Sequence, residues 1–291
     1  MEIQWYPGQM AKAKRLLQEN LRLVDAVIEV LDARIPDSSR NPDIRSLIAQ
    51  RPVVAVLTHA DLADPQRTQE WLVALRRDYA GAAAVNAATG EGIRQLLQLL
   101  KTIPVMRRHG GNVRRLMVVG IPNVGKSSLI NRLTGRSAAK TGNKPGVTKG
   151  KQWVRLPGDL ELLDTPGMLW PKIENAGQAF RLAAVGAVRD EIYDPVELGA
   201  TLVSYLAAQD PETFNKRYRI ALKENDPYKI LAEIGSKRGC LQKGGEIDLA
   251  AAARLLVADF RAGRLGRLTL ERVEKRGDNN DQFHQNDAQG D

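Results

Sequence analysis

Short, nearly unbroken apolar runs alternate along this chain with longer segments whose apolar residues recur at helical spacing. Ala26-Val27-Ile28-Glu29-Val30-Leu31-Asp32, Pro52-Val53-Val54-Ala55-Val56-Leu57 and Leu116-Met117-Val118-Val119 are such runs. Their length and their lack of polar alternation predict strands buried on both faces. A further strand is expected near 82–86, and a hairpin-like pair at 152–156 and 160–163 around Pro157-Gly158-Asp159. Residues 10–23 read as a basic amphipathic helix, with Lys12, Lys14, Arg15 and Arg22 against Leu16, Leu17, Leu21 and Leu23. Other helices are predicted near 65–79, 93–101 and 126–133, with a short one ending near 50. Strands alternating with helices predict an α/β fold with a doubly wound, mostly parallel sheet.

Beyond about residue 173 the strand pattern stops. Segments 180–188, 196–209, 211–218, 228–234 and 249–262 all have helical spacing, which predicts a small all-α domain. The expected organisation is an α/β domain over 1–175, an α-helical domain over 176–275, and a polar, disordered tail over 276–291.

Composition narrows the setting. With 291 residues and 43% hydrophobic content, the chain can bury a core in each part. No apolar run approaches the ~18 residues of a membrane span, and MEIQWYPGQMAKAKR lacks a signal-peptide core. The lone Cys240 fits a reducing compartment, so a cytoplasmic protein without membrane contact is expected. Net charge is +9, and residues 277–291 hold four Asp but no Lys or Arg. The body is therefore more basic than the whole, which points to a polyanionic partner such as RNA or DNA.

The chemistry begins at Gly120-Ile121-Pro122-Asn123-Val124-Gly125-Lys126-Ser127, between an apolar strand and a helix. Gly-x-x-x-x-Gly-Lys-Ser wraps backbone N–H groups around phosphates, and the following helix adds its N-terminal dipole. Asn123, Val124, Gly125, Lys126, Ser127 and Ser128 are the candidate phosphate-binding residues, with Lys126 reaching the β/γ-phosphates and Ser127 ligating Mg2+. Asp164-Thr165-Pro166-Gly167 ends the strand Glu161-Leu162-Leu163. Asp164 would hold Mg2+ through water, and the Gly167 N–H would meet the γ-phosphate. Thr148, in Pro145-Gly146-Val147-Thr148, is the candidate switch residue completing the magnesium shell; Thr141 is an alternative nearby.

Two earlier segments fit the base. In Thr58-His59-Ala60-Asp61, Asp61 can accept hydrogen bonds from guanine N1–H and N2–H₂, which adenine cannot donate. A helix cap at Asp61 is the alternative. Thr58 can bond guanine N7 or the phosphate loop, and the His59 ring can stack on the base. Asn86-Ala87-Ala88 would place the Ala87 N–H on guanine O6. Ordinary Ras-like GTPases run from phosphate loop to switch Thr, Asp-x-x-Gly, Asn-Lys-x-Asp and Ser-Ala. Here the base-reading segments come first, an order that predicts a circularly permuted P-loop GTPase.

The chain resembles the ribosome biogenesis GTPase A group of circularly permuted GTPases. The resemblance runs through Gln4-Trp5-Tyr6-Pro7-Gly8-Gln9-Met10, Asp32-Ala33-Arg34-Ile35-Pro36 and Ser39-Arg40-Asn41-Pro42. It continues through Gly120–Ser127, Pro145–Thr148, Leu163–Gly167, Lys237-Arg238-Gly239-Cys240-Leu241 and Gly266-Arg267-Leu268. It implies GTP hydrolysis coupled to late assembly of the large ribosomal subunit, with GTP/GDP, rRNA and a large-subunit precursor as partners of a monomeric protein. RNA-binding is implied for the helical domain.

The family's Asn-Lys-x-Asp is Thr58-His59-Ala60-Asp61 here, so altered affinity with kept specificity is expected. Its Pro-Gly-His-Met is Pro7-Gly8-Gln9-Met10, which makes Gln9 a candidate for orienting water in the catalytic set with Lys126, Thr148 and Gly167. Met168 follows Gly167, and a thioether cannot orient a nucleophilic water, so slow turnover without a partner is expected. Asn123 resembles the Asn that helps bind potassium in related GTPases, which makes K+ a candidate activator. Lys140, Lys144, Lys149 and Lys151 flank Thr148, where they can meet rRNA. Two other readings stand beside this one: a nucleotide-gated RNA-binding scaffold with negligible hydrolysis, and a P-loop ATPase.

Overall fold

The structure, a computed structural model, describes residues 7–41, 46–48, 51–104, 113–135, 153–163, 173, 175–222 and 225–273, without the side chains of 7–10, 13 and 191. The expected disordered tail, the loop 140–151 with its lysines and Thr141, and the segment 164–172 lie outside the described residues.

Among the described residues, six strands form one sheet: β1 (Ala26–Asp32), β2 (Val53–Thr58), β3 (Gly81–Ala84), β4 (Arg114–Val119), β5 (Trp153–Leu156) and β6 (Leu160–Leu163). Their spatial order is β3-β2-β1-β4-β6-β5. All neighbours are parallel except the hairpin partners β5 and β6. Every residue of β1 is buried, as its unbroken apolar run requires at the centre of a sheet covered on both faces.

Successive residues of each strand feed opposite layers. On one face, Val27, Met117, Val119 and Leu163 pack with Leu17 and Leu21 of α1 (Pro7–Leu21). Beside them Leu31, Ala55 and Leu57 meet Trp71, Leu72 and Leu75 of α2 (Pro65–Asp78). The other face uses Ile28, Val30, Val54, Val56 and Val118. It is covered by Leu96 and Leu100 of α3 (Ile93–Thr102) and by Leu129, Ile130 and Leu133 of α4 (Lys126–Thr134).

Among the described residues five α-helices follow: α5 (Ala176–Ala184), α6 (Pro195–Gln209), α7 (Glu212–Tyr218), α8 (Pro227–Arg238) and α9 (Leu249–Arg261). Leu182, Leu202, Leu206, Phe214, Leu231 and Leu256 from these helices belong to the same apolar cluster as the sheet's second face. The helical part thus shares a core with the sheet. Asp194, Asp226 and Asp248 accept backbone N–H bonds at the starts of α6, α8 and α9, which explains where those helices begin.

After α9 the chain turns back to the sheet. Leu268 N donates to Leu62 O at 2.9 Å, and Leu270 N donates to Arg34 O at 2.7 Å. Glu271 accepts from Asp37 N at 2.6 Å, Ser38 N at 3.0 Å and Arg181 Nε at 2.9 Å, and also from the Ser38 hydroxyl. This returning strap, which spacing within the helices did not predict, joins the loop after β1, α5 and the segment after α9 at one carboxylate.

Candidate nucleotide-binding site

The strand order reverses between β1 and β4, which places the site at the carboxyl ends of these strands. Gly120 leaves β4 with φ +150°, and a Cβ there would lie 2.6 Å from Val30 O. Only glycine lets the two backbones approach so closely. Asn123 has φ 61° and Gly125 φ 83°, left-handed turns that curl the loop before α4 starts at Lys126. No side chain caps this helix start, so its first N–H groups remain open to an anion. Val124 anchors the loop in the apolar core.

Lys126 folds across the loop and donates from Nζ to Ile121 O at 2.6 Å. Ser127 is half-buried in the first turn of α4, and its hydroxyl makes no hydrogen bond among the described residues, whereas Ser128 is exposed. Asn123 points elsewhere: its Nδ2 donates to Gly186 O, just past α5, at 2.9 Å.

The base side lies beside this loop. Asp32 and Thr58 are register partners at the ends of β1 and β2. The buried Thr58 hydroxyl has one proton and two carbonyls in reach, Val124 O at 2.6 Å and Leu31 O at 2.9 Å. Its side chain therefore ties the phosphate loop to the sheet. His59 takes φ 54°, costly for a residue with a Cβ, and its ring lies against Gly125. Its Nε2 is buried with no partner among the described residues. Asp61 is exposed and its carboxylate makes no hydrogen bond among the described residues. It does not cap α2; Asp64 does, accepting from Arg67 N at 2.8 Å.

Asn86 is buried, and its Oδ1 accepts from Ala88 N at 2.9 Å and Thr89 N at 3.2 Å. This side-chain turn shapes the loop and leaves the Ala87 N–H without an acceptor among the described residues. Arg132 of α4 donates to Thr89 O, linking the two loops.

Asp32 and Arg34 are committed to each other. Arg34 donates from Nε to Oδ1 at 2.9 Å and from Nη2 to Oδ2 at 2.7 Å, with both side chains buried. Burial alone would raise the Asp32 carboxyl, but the Arg34 charge and hydrogen bonds, with a smaller contribution from His59, hold it below the usual 3.8. Arg34 also reaches Arg261 O at 3.5 Å. The pair fastens the end of α9 to the sheet.

Of the remaining site residues expected from the sequence, Thr148, Asp164, Gly167 and Met168 lie outside the described residues. Gln9 is in the first turn of α1, but its side chain lies outside them as well. Among the described residues no group of three or more His, Cys, Asp or Glu could hold a metal. A magnesium ion bound with nucleotide takes most of its oxygens from phosphate and water and needs only one or two from protein. The unbonded Ser127 hydroxyl fits that demand.

Residues that spacing did not single out also reach the site. Arg267 and Thr269 bond the loop carrying Asp61, and Gly186 receives Asn123. Arg267 stands in the Gly266-Arg267-Leu268 segment of the family resemblance, but nothing local marks what these residues contact, because each acts through a partner far away in sequence.

Comparison with known proteins agrees with this geometry. The family described as 50S ribosome-binding GTPase matches residues 115–223. The chain is 43% identical over 281 residues to ribosome biogenesis GTPase A of Bacillus licheniformis, covering 94% of this chain and 99% of that protein. It is 32% identical over 274 residues to the Thermotoga maritima protein of the same name, covering 93% and 94%. Among solved structures, GNP-bound YlqF from T. maritima aligns with TM-score 0.66 and 29% identity, over 90% of this chain and 98% of that one. With such similarity along nearly the whole of these relatives, and a phosphate loop that follows its base-side loops, the chain belongs to the ribosome biogenesis GTPase A family.

Proposed function

We propose that this GTPase binds GTP with magnesium, associates in that state with an immature large ribosomal subunit through rRNA, and leaves after hydrolysis. GTP hydrolysis goes with the family, which sets aside the ATPase and non-hydrolysing scaffold readings. The observation that carries the proposal is the junction of four strand ends: an uncapped α4 start and phosphate loop, bonded through Thr58 to the segment that presents Asp61.

In this reading the N–H groups of 123–128 hold the α/β-phosphates. Lys126 leaves Ile121 O for the β/γ-phosphates, where its charge offsets charge that develops during transfer. Asp61 accepts from guanine N1–H and N2–H₂, and the Ala87 N–H donates to O6. Ser127, with Thr148 and Asp164, would hold magnesium, which screens the phosphate charge. Thr148 and Gly167 would sense the γ-phosphate, and Gln9 would orient water in place of Met168. Asn123 Oδ1 would join a potassium site.

The 1–175 part is the catalytic unit and 176–275 the rRNA-binding unit, with a monomer acting in the cytoplasm. Steady-state GTP hydrolysis should rise when large subunits are added, and more in potassium than in sodium buffer. No stimulation by subunits would sink the assembly role; equal rates in the two salts would remove potassium.

A further inference from the structure

The loop that presents Asp61 is poorly held by its own neighbours. Within it, Leu62 N donates to His59 O at 2.9 Å, while Ala60 N reaches Val85 O only at 3.5 Å. His59 sits in the left-handed region without being glycine, so the loop's conformation must be imposed from outside. The strap after α9 imposes it. Arg267 spreads its guanidinium over two carbonyls on either side of Asp61, with Nη2 to Ala60 O at 2.8 Å and Nε to Ala63 O at 3.0 Å. Between them, Leu268 N donates to Leu62 O at 2.9 Å.

Thr269 completes the grip. Its buried hydroxyl accepts from Asp64 N at 3.1 Å and lies 3.3 Å from Ala33 O, which registers the loop against β1. The strap itself is fixed by Arg67 and Tyr205, which donate to Thr269 O at 2.6 and 3.2 Å. Gly263 makes the turn into the strap at φ 70°, a conformation that favours glycine. Carbonyls 60, 62 and 63 are therefore all taken up by Arg267 and Leu268, while the carboxylate of Asp61 is left exposed.

We propose that the strap 263–269, with Arg267 at its centre, is a specificity element for the nucleotide base. Arg267 touches neither base nor phosphate in this scheme. It is a positioning residue that fixes Asp61 where guanine N1–H and N2–H₂ will arrive. A planar fork suits this task, because one side chain locks two carbonyls three residues apart in a fixed relation. Lysine, with three freely rotating donors on one nitrogen, does not fix that relation. The inference rests on the proposed reading of guanine by Asp61.

The test uses the full chain and measures binding of GDP, IDP, which lacks the 2-amino group, and XDP by titration. Arg267→Ala should weaken GDP about 10-fold, the scale of one or two lost hydrogen bonds, but IDP much less, so the GDP/IDP preference collapses. Arg267→Lys should restore part of that preference. Thr269→Val, which removes the hydroxyl at nearly unchanged volume, should lower the same ratio. Equal weakening of GDP and IDP by Arg267→Ala and by Thr269→Val would mean that the strap only stabilises the fold, and would overturn the proposal. Asp61→Asn separates the two layers. It should shift preference from GDP to XDP, and failure to do so overturns the reading of Asp61 and this inference with it. A shift to XDP together with an unchanged GDP/IDP ratio in Arg267→Ala overturns the strap's role alone.

Discussion

Thr58 shows how a short side chain can serve at a position where the resembling motif carries a longer amide. At the end of β2 it lies close enough to the phosphate loop for a single hydroxyl to meet Val124 O and Leu31 O. Its proton is spent on protein, so the base must be read by groups further along. Thr58→Val should cost about 1–2 kcal/mol, because the buried carbonyl of Val124 loses its donor. Thermal unfolding should register that loss, and GDP titration should weaken with it; unchanged values in both would show the bridge to be incidental. Asp61→Asn should lower GDP affinity on the order of 10²-fold, since a charged acceptor of two donors is lost, while the fold stays intact because Asp64, not Asp61, caps α2. A drop in the melting temperature comparable to a lost helix cap would contradict that assignment.

At the scale of elements, the glycine after β4 and the glycine after α4 make opposite demands. Gly120 leads into the loop against the backbone of β1, where a Cβ would lie 2.6 Å from Val30 O and neither backbone can yield. Gly120→Ala should abolish nucleotide binding. Gly135 closes the same helix with φ 65°, yet a Cβ there meets nothing within 4 Å. Gly135→Ala should cost only about 1 kcal/mol, with GDP binding preserved. Comparable binding losses in the two variants would refute the argument from close approach. The strands, the phosphate loop and α4 were all legible in the sequence, because apolar runs and contiguous backbone motifs carry their own periodicity. The hydrogen bond of Asn123 to Gly186 was not, since it spans 63 residues and follows from packing alone.

For the whole molecule, the permuted order places the helical part after Leu163, next to the γ-phosphate-sensing segment expected at 164–167. The structure adds two further links, Asn123 to Gly186 and the strap onto 60–64. The phosphate loop and the loop carrying Asp61 thus contact the segments that follow α5 and α9. Spin labels on α2 and α8 should report different distance distributions with GDP and with a GTP analogue; identical distributions would remove the helices as a readout of nucleotide state.

Asp259 holds the helical side of this arrangement. It accepts from Arg217 Nε at 2.7 Å, Arg264 Nη1 at 2.7 Å and Tyr218 OH at 3.0 Å. Burial would raise its carboxyl, yet the hydrogen bonds from Arg217, Arg264 and Tyr218 bring it below 3.8. A depressed folded value means stabilisation present above the unfolded pKa and lost as pH falls through the folded one. Stability followed by denaturant titration should therefore decline below about pH 4, and Asp259→Asn should flatten that dependence and cost about 3 kcal/mol. An acid limb unchanged in the variant would place the sensitivity elsewhere, with Asp32 the next residue to test.

The sequence by itself determined the order of elements, the phosphate loop, the place of Asp61 and Asn86 after their strands, and the permuted family. Each of these is written in neighbouring residues, because a phosphate is gripped by consecutive N–H groups and a strand or helix repeats on its own short period. Only the tertiary structure decided that Thr58 bonds the loop, that Asp32 and Arg34 fasten α9, and that Arg267 grips a loop 207 residues away. Those contacts are made by single side chains meeting across the fold, and no local pattern records which carbonyl lies at the other end.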